Sequence, residues 1–268
     1  MITLFEHDMK ADGRRSSKGN QLKWVYEGTW YKADFTGYEG LAEYMVSHLL
    51  KYSNLLEEDY ILYDTEEIQY GNVKYCGCKS RDFLPEGWQL FTMERLFQNF
   101  YGESLYQSIF RITSLENRVR FLVEQTERIT GLKGFGEYLS KLFTIDALFI
   151  NEDRHTHNIA VLLDPAGKYH YCPVFDNGGA LLSDTSMDYP LGGEFYTMLD
   201  SVKSKTVCQS FDEQLEVVER LYGQKLHFNF DRKKIETLLE AEKYYPEEVK
   251  KRVATILLEQ RRKYQYLF

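Results

Sequence analysis

The sequence predicts an α+β fold with two lobes, a small β-rich lobe followed by a larger lobe that is mostly helical. Short segments with strand-like alternation are concentrated in roughly the first 85 residues, whereas apolar residues at helical spacing dominate the rest. A chain of 268 residues is long enough for one large domain or two lobes. We place the lobes at residues 1–85 and 86–268.

The first lobe opens with a predicted strand, "ITLFEHDM", and a loop containing Gly, Ser and Lys, "KADGRRSSKGN". The segments "QLKWVY" and "TWYKADF" flank the turn residues Glu27–Gly28, a pattern typical of a β-hairpin. Residues 37–51 carry apolar side chains at helical spacing and predict a helix. Further strands are expected at Tyr60–Tyr63 and Val73–Cys78.

The second lobe contains several helical patterns and one hairpin. "SLENRVRFLVEQTERITG" has Ser114 as its N-cap and Gly131 just past its end. Four further segments predict helices: "GEYLSKLFTIDALFI", "FDEQLEVVERLY", "DRKKIETLLEAEK" and "PEEVKKRVATILLEQRRK". Between the first two of these four, "IAVLL" and "YHYCPV" surround the turn "DPAGK" and predict a hairpin.

Charge and cysteine content exclude several classes of protein. The net charge of -8 argues against electrostatic binding of nucleic acid. The 4 cysteines include one close pair, Cys76 and Cys78, which is neither a disulfide framework nor a zinc spacing. No stretch resembles a signal peptide or approaches the ~20 apolar residues of a membrane span. We therefore expect a cytoplasmic protein that binds neither membranes nor nucleic acid directly.

The predicted hairpin brings polar residues together. Residues that precede its first strand and follow its second strand lie at the same end, about 5 Å apart. This places Asn158 beside Asp176, and Asp153 faces the same opening. Such oxygen ligands suit magnesium. An Asp followed five residues later by an Asn, and then by a D-x-G, is the pattern of phosphoryl transfer, with Asp153 as base and Asn158 and Asp176 as metal ligands.

The first lobe supplies an independent test of this hypothesis. Phosphoryl transfer needs a cation at the nucleotide phosphates, commonly a strand lysine held by a carboxylate on a helix. Lys32 lies mid-strand among aromatic and apolar residues, and the next helix bears Glu39 and Glu43, either of which could pair with it. Upstream, "SSKGNQ" could fold over phosphates through its backbone N–H groups.

Three motifs resemble those of the HipA-like serine/threonine kinases. "S-S-K-G-N-Q-L-K" is similar to their S-x-x-G-x-Q-x-K loop, "N-E-D-R-H-T-H-N" to their N-x-D-R-H-x-x-N catalytic segment, and "P-V-F-D-N-G" to their P-x-F-D-x-G metal motif. The resemblance covers roughly the first 185 residues, and the compact length suggests the CtkA-type branch. It implies a two-lobed, protein-kinase-like fold that transfers the γ-phosphoryl of ATP, with Mg²⁺, to a Ser or Thr hydroxyl of a protein substrate.

The resemblance also implies roles for individual residues. Lys32 would bind the α- and β-phosphates, Asp153 would be the catalytic base, and His155 would support the catalytic loop. Glu39 matches the family's helix acid better than Glu43. The remaining implied residues are Asn158 and Asp176 for magnesium, Ser16, Ser17, Gly19 and Asn20 for the phosphates, and backbone groups of Cys78, Lys79, Ser80 and Arg81 for adenine. Ser16 is also a candidate autophosphorylation site.

Larger members of the family carry an additional N-terminal subdomain and bind a DNA-binding antitoxin. This sequence lacks room for that subdomain, so we do not expect an antitoxin partner. Oligomeric state is left open. Two alternatives compete with an active kinase. One is a metal-dependent hydrolase built on Asp153, His155, His157 and Asp176, and the other is a pseudokinase that only binds nucleotide.

Overall fold

The structure is a computed structural model, and it describes residues 1–9 and 21–268. The predicted phosphate loop, with Ser16, Ser17, Gly19 and Asn20, lies outside the described residues. The strands in chain order are β1 (Ile2–Leu4), β2 (Lys23–Tyr26), β3 (Thr29–Ala33), β4 (Asp64–Tyr70), β5 (Val73–Arg81), β6 (Gln89–Thr92), β7 (Ala160–Leu163) and β8 (Tyr169–Tyr171).

The described α-helices range from seven to 17 residues. In chain order they are α1 (Glu39–Leu50), α2 (Met93–Tyr101), α3 (Leu105–Arg111), α4 (Leu115–Thr130), α5 (Phe135–Phe149), α6 (Phe195–Ser201), α7 (Phe211–Tyr222), α8 (Arg232–Ala241) and α9 (Glu247–Lys263). Short 3-10 helices lie at Glu6–Asp8, Glu57–Asp59 and Gln265–Leu267. Over these ranges no helix has both the length and the apolar character needed to cross a membrane.

The chain divides into two compact units. The first unit comprises Met1–Phe83, Asp176–Val202 and His227–Phe268, and the second comprises Leu84–Phe175 and Lys203–Leu226. These units differ from the predicted division into two consecutive segments. The reason is that later parts of the chain return to the first unit, where α8 packs against both α1 and α9.

The first unit contains a five-stranded sheet with the strand order β1-β4-β5-β3-β2. β1 pairs with β4 in parallel, and the other neighbours are antiparallel. The hairpin of β2 and β3 is confirmed. Its turn residues Glu27 and Gly28 both have positive φ, 47° and 70°, as a two-residue hairpin turn with the twist of its strands requires.

One predicted strand is misplaced. The sequence predicts it at Tyr60–Tyr63, whereas β4 begins at Asp64. The charged residues of "DTEEIQY" hide the alternation of apolar and polar side chains that identifies a strand, because one of the glutamates faces inward. Glu66 is 8% exposed, and its carboxylate accepts a hydrogen bond from Lys79 Nζ at 2.9 Å on the neighbouring strand.

Opposite faces of the sheet carry different residues, which determines where Lys32 points. Tyr31 and Ala33 belong to an apolar cluster that also contains Leu4, Trp24 and Ile68. Because side chains alternate along a strand, Lys32 projects to the other face. α1 packs along that sheet through contacts with β4 and β5. The alternation of β3 therefore directs one lysine out of an apolar strand toward the acidic helix.

The second unit has a three-stranded sheet with the order β6-β7-β8. The predicted hairpin is confirmed, with Val161 paired to Tyr171 and Leu163 to Tyr169. α4 also begins and ends as expected, since Ser114 Oγ accepts the N–H of Asn117 and Gly131 ends the helix at a φ of 72°. α5, which precedes the loop before β7, ends at Phe149.

Candidate functional site

In the first unit, Lys32 lies between two carboxylates. Its Nζ atom is 2.8 Å from Oε1 of Glu43 and 2.9 Å from Oδ1 of Asp176. The Lys32 side chain is 12% exposed and that of Glu43 is 1% exposed, so this is a desolvated cluster rather than a surface ion pair. The Tyr63 ring adds a cation–π contact at 5.1 Å. The lysine that the sequence marks as out of place in an apolar strand is thus fully paired.

Two opposing effects act on the charge of Lys32. Burial lowers its pKa, but the adjacent carboxylates of Asp176 and Glu43 outweigh burial and hold the pKa well above its usual value. For Glu43, burial raises the pKa of the carboxyl group, while Lys32 acts in the opposite direction. Lys32 consequently keeps its positive charge throughout the physiological pH range.

Glu43, not Glu39, is the helix carboxylate that pairs with Lys32, which corrects the assignment favoured by the family resemblance. Glu39 is the first residue of α1, and its carboxylate accepts the N–H groups of Thr36 and Gly37 at 2.7 and 3.1 Å. It therefore closes the turn before the helix. Glu43 lies one helical turn later, where the side chain faces Lys32.

Glu43 also binds the segment that contains the predicted metal motif. Its second oxygen, Oε2, accepts the N–H of Asn177 at 2.8 Å. Asp176 adopts a φ of 60°, an uncommon conformation for a residue with a side chain, so this backbone needs support from its surroundings. One buried carboxylate therefore fixes both Lys32 and the backbone next to Asp176.

The second unit contains the predicted catalytic loop, whose backbone groups form hydrogen bonds with one another. The N–H of His155 donates to the carbonyl of Asp153 at 2.9 Å, and the N–H of Asn158 donates to the carbonyl of His155 at 2.8 Å. The side-chain Nδ2 of Asn158 donates to the carbonyl of Asp153 at 2.9 Å. This bond fixes the amide nitrogen of Asn158 against the loop backbone, and its amide oxygen is the kind of acceptor that suits a hard cation.

Three residues that support this loop were not predicted. Glu94, at the start of α2, accepts the hydroxyl of Thr156 at 2.8 Å. Arg154 and Asp146 form an ion pair with 1% and 0% of their side chains exposed. A signal for Asp146 was present, since it interrupts the apolar run "KLFTIDALFI". Burial of Asp146 raises its pKa to about 6, and Arg154 opposes that rise.

The residues predicted to contact adenine, Cys78, Lys79, Ser80 and Arg81, form the end of β5. β5 is an interior strand, and Cys78 and Lys79 are paired with neighbours on both sides, so the sheet uses their backbone groups. Pairing with β4 ends at Lys79, while pairing with β3 continues to Arg81. The N–H of Asp82 points to the β3 side, where it donates to Gly28 at 2.9 Å. By alternation, the backbone of Arg81 faces the side that β4 has left.

Metal ligands of the zinc type are not grouped in the described parts of the chain. Over residues 1–9 and 21–268, no three His, Cys, Asp or Glu side chains are arranged to hold a metal ion. His157 is exposed, and its backbone N–H donates to His155 Nδ1 at 3.2 Å. The side chains of Asp176 and Asn158 carry oxygen atoms, the type of ligand that magnesium combines with phosphate oxygens.

The predicted site residues therefore form two local groups. In the first unit, Lys32 contacts Asp176 and Glu43, so that one positive charge lies between two negative charges. Asp153, His155 and Asn158 share one hydrogen-bonded loop in the second unit. The roles assigned to these residues stay predictions.

Comparison with known proteins bears on the fold. No family model matches the sequence, and no curated protein matches it. Among solved structures, the chain is similar to the Helicobacter pylori proinflammatory kinase CtkA, with a TM-score of 0.61, 18% sequence identity, and coverage of 91% of this chain and 90% of that chain.

A second similarity is weaker. HipA from the Shewanella oneidensis MR-1 toxin–antitoxin complex of HipA, HipB and operator DNA gives a TM-score of 0.39 at 13% identity. The match covers 95% of this chain and 62% of that chain, and at this score it carries no structural argument. The match to CtkA, by contrast, confirms the expected class: the chain has a two-lobed, kinase-like α+β fold.

Proposed function

We propose that the protein is an ATP- and Mg²⁺-dependent protein serine/threonine kinase of the HipA-like type. The observation that carries this proposal is the buried Lys32, held 2.8 Å from Glu43 and 2.9 Å from Asp176, in a chain with a kinase-like fold. A strand lysine paired with a helix glutamate, next to a D-x-G aspartate, is the group that nucleotide phosphates require.

In this proposal the first unit binds the nucleotide phosphates. Lys32 stays protonated because Asp176 and Glu43 raise its pKa, so it offers a permanent positive charge to the α- and β-phosphates. Glu43 orients the ammonium group, and the backbone of Arg81 is the candidate contact to adenine. Ser16, Ser17, Gly19 and Asn20 would cover the phosphates, and Ser16 is the candidate autophosphorylation site.

The second unit supplies the residues that act on the acceptor. Asp153 orients a Ser or Thr hydroxyl and takes its proton as the oxygen–phosphorus bond forms and the bond to the β-phosphate oxygen breaks. Asn158 and Asp176 would hold magnesium. When bound, magnesium neutralises charge on the phosphate groups. His155 contributes through its backbone bonds to Asp153 and Asn158.

A direct assay tests the proposal. The purified chain is incubated with γ-³²P-labelled ATP, magnesium and casein, alongside Asp153→Asn and His157→Ala. The His157 variant is a matched control from the same loop, since the exposed His157 side chain lies outside the shared motif. We expect incorporation of label by the wild type and by His157→Ala and a loss of about 10³-fold or more with Asp153→Asn.

The possible outcomes separate the competing functions. Equal labelling by the wild type and Asp153→Asn would remove Asp153 from the mechanism. ATP binding without labelling would favour a nucleotide-binding pseudokinase. Loss of activity in His157→Ala together with tightly retained zinc would favour the hydrolase. Mass spectrometric mapping of phosphate after incubation with ATP and magnesium then tests Ser16, with Ser16→Ala as the control.

A further inference from the structure

Arg154 is buried in the second unit and binds three separate parts of the chain. Its side chain is 1% exposed. Nε lies 3.1 and 3.3 Å from the two carboxylate oxygens of Asp146 on α5. Nη1 donates to the carbonyl oxygen of Asn158 at 3.1 Å and to that of Phe175 at 2.7 Å. One guanidinium group thus joins a helix to two carbonyl groups that are 17 positions apart in the sequence.

Those two carbonyls mark the ends of the β7–β8 hairpin. Asn158 ends the catalytic loop just before β7, and Phe175 follows β8 and directly precedes Asp176 in the chain. The last ladder pair toward this end is Val161 with Tyr171. Beyond that pair the two arms of the hairpin are no longer held by strand pairing. There the Nη1 atom of Arg154 binds one carbonyl on each arm.

We infer that Arg154 is a positioning residue that sets the spacing between the two ends of the β7–β8 hairpin, at the carbonyls of Asn158 and Phe175. This inference rests on the proposed function, because Asn158 and the residue that follows Phe175 are the proposed magnesium ligands. Arg154 does not touch substrate or metal in this role. It acts through the backbone carbonyls of Asn158 and Phe175 rather than through the ligand side chains.

The surroundings of Arg154 fit this role. Asp146 supplies the counter-charge and points the guanidinium along a fixed direction, since the helix that bears it is buried. The backbone of Arg154 is also fixed, because the hydroxyl of Thr206 donates to its carbonyl oxygen. Only arginine offers several N–H donors in a rigid plane, whereas lysine has a single charged nitrogen. A lysine at this position retains the charge but loses the planar set of N–H donors.

A purely structural role predicts something different. A buried ion pair is weak evidence of stability, and removing one partner destabilises a protein wherever the pair lies. Loss of stability alone therefore does not test the inference. A positioning role predicts a local loss of order at the two hairpin ends and a changed requirement for magnesium.

The test compares Arg154→Lys and Asp146→Asn with Leu139→Ala. Leu139 is a fully buried apolar residue of α5, so its truncation destabilises the same helix while the Arg154–Asp146 ion pair is kept. Amide hydrogen exchange is measured at residues 155–161 and at Phe175. In parallel, phosphoryl transfer to casein gives kcat, KM for ATP and the magnesium concentration at half-maximal rate. Asp146→Asn is the milder variant and serves if Arg154→Lys does not fold.

We expect faster exchange at both hairpin ends in Arg154→Lys, a fall in kcat of about 10²-fold, and an increase in the half-saturating magnesium concentration of about 10-fold. Leu139→Ala should lower the melting temperature and leave exchange at the hairpin ends and the magnesium requirement unchanged. Unchanged exchange and unchanged magnesium dependence in the Arg154 and Asp146 variants overturn the inference. If the wild type transfers no phosphate, the proposed function fails, and the exchange data alone decide whether Arg154 joins the two ends.

Discussion

The carboxylate of Glu43 accepts the backbone N–H of Asn177 at 2.8 Å, across 134 positions of sequence. The same carboxylate binds Lys32 through its other oxygen. Movement of α1 is thereby coupled to the position of Lys32 and to the backbone that follows Asp176. This coupling depends on one buried residue, Glu43, whose side chain is 1% exposed. A single substitution at Glu43 therefore tests it.

Replacing Glu43 with Gln should reduce phosphoryl transfer about 10²-fold, because Lys32 loses a charged partner and the Asn177 N–H loses a charged acceptor. The matched control is Glu39→Gln on the same helix. We expect Glu39→Gln to retain activity and to lower the free energy of unfolding by about 1 kcal/mol, since Glu39 binds the N–H groups just before the helix. Steady-state kinetics and urea unfolding measure both effects. A larger loss of activity from Glu39→Gln would reverse the assignment.

Replacing Lys32 with Met should abolish transfer and destabilise the protein by about 3 kcal/mol at pH 8, because two adjacent carboxylates lose their cation. The loss should be smaller at pH 5. Without Lys32, burial and Asp176 both raise the pKa of Glu43 in the folded state above its unfolded value. Stability contributed by such a group is present at low pH and disappears as the pH rises through the folded pKa. Urea unfolding of the variant and the wild type at both pH values tests this, and an equal difference at both would contradict it.

Asp34 gives a second pH dependence. Burial, with a further contribution from Glu39, raises its pKa to about 8, while hydrogen bonds from Tyr245 and the Gly40 N–H oppose the rise. Because the folded pKa exceeds the unfolded value near 4, stability should fall as the pH rises from about 4 to about 8, by at most about 1.4 kcal/mol per pH unit.

The variant Asp34→Asn should remove that dependence. Asparagine keeps an acceptor for the Gly40 N–H, which lies 2.6 Å from Asp34 Oδ1. We expect melting temperatures that change less between pH 6 and pH 9 than those of the wild type. A wild-type melting temperature that is constant over this range would show that Asp34 does not titrate there.

The close approach of α1 to β5 makes Gly40 sensitive to any side chain. A Cβ atom at Gly40 would lie 2.5 Å from the carbonyl carbon of Gly77 and 2.6 Å from the hydroxyl of Tyr245. Gly40→Ala should therefore destabilise the protein by about 1–3 kcal/mol and lower activity, since α1 also carries Glu43. Gly192→Ala is the control, because nothing lies within 4 Å of its added Cβ. Thermal unfolding and kinetics of the pair test this, and equal effects would contradict it.

Features with local signals could be predicted from the sequence. The turn Glu27–Gly28 and the turn "DPAGK" identify two hairpins, and Ser114 and Gly131 identify the ends of α4. In each case the information lies in the turn or cap residues themselves. The segment predicted to be catalytic rests on the same kind of short-range spacing, and its role stays a prediction.

Features decided by tertiary packing could not be predicted. Glu39 and Glu43 are one helical turn apart, so spacing alone places both near Lys32, and only the turn at Thr36 shows that Glu39 is used locally. Arg154 and Asp146 were missed because their partners are backbone carbonyls and a residue on another element. β4 was misplaced because its inward-facing Glu66 reads as a surface residue.

The return of the chain to its first unit has a consequence for synthesis. Residues 227–268 belong with residues 1–83, so the strands and α1 emerge from the ribosome long before the helices that complete their unit. Apolar surface of the first 83 residues therefore stays exposed on the nascent chain until residues 227–268 have been synthesised. A fragment ending near residue 85 would therefore be expected to need a chaperone or to aggregate.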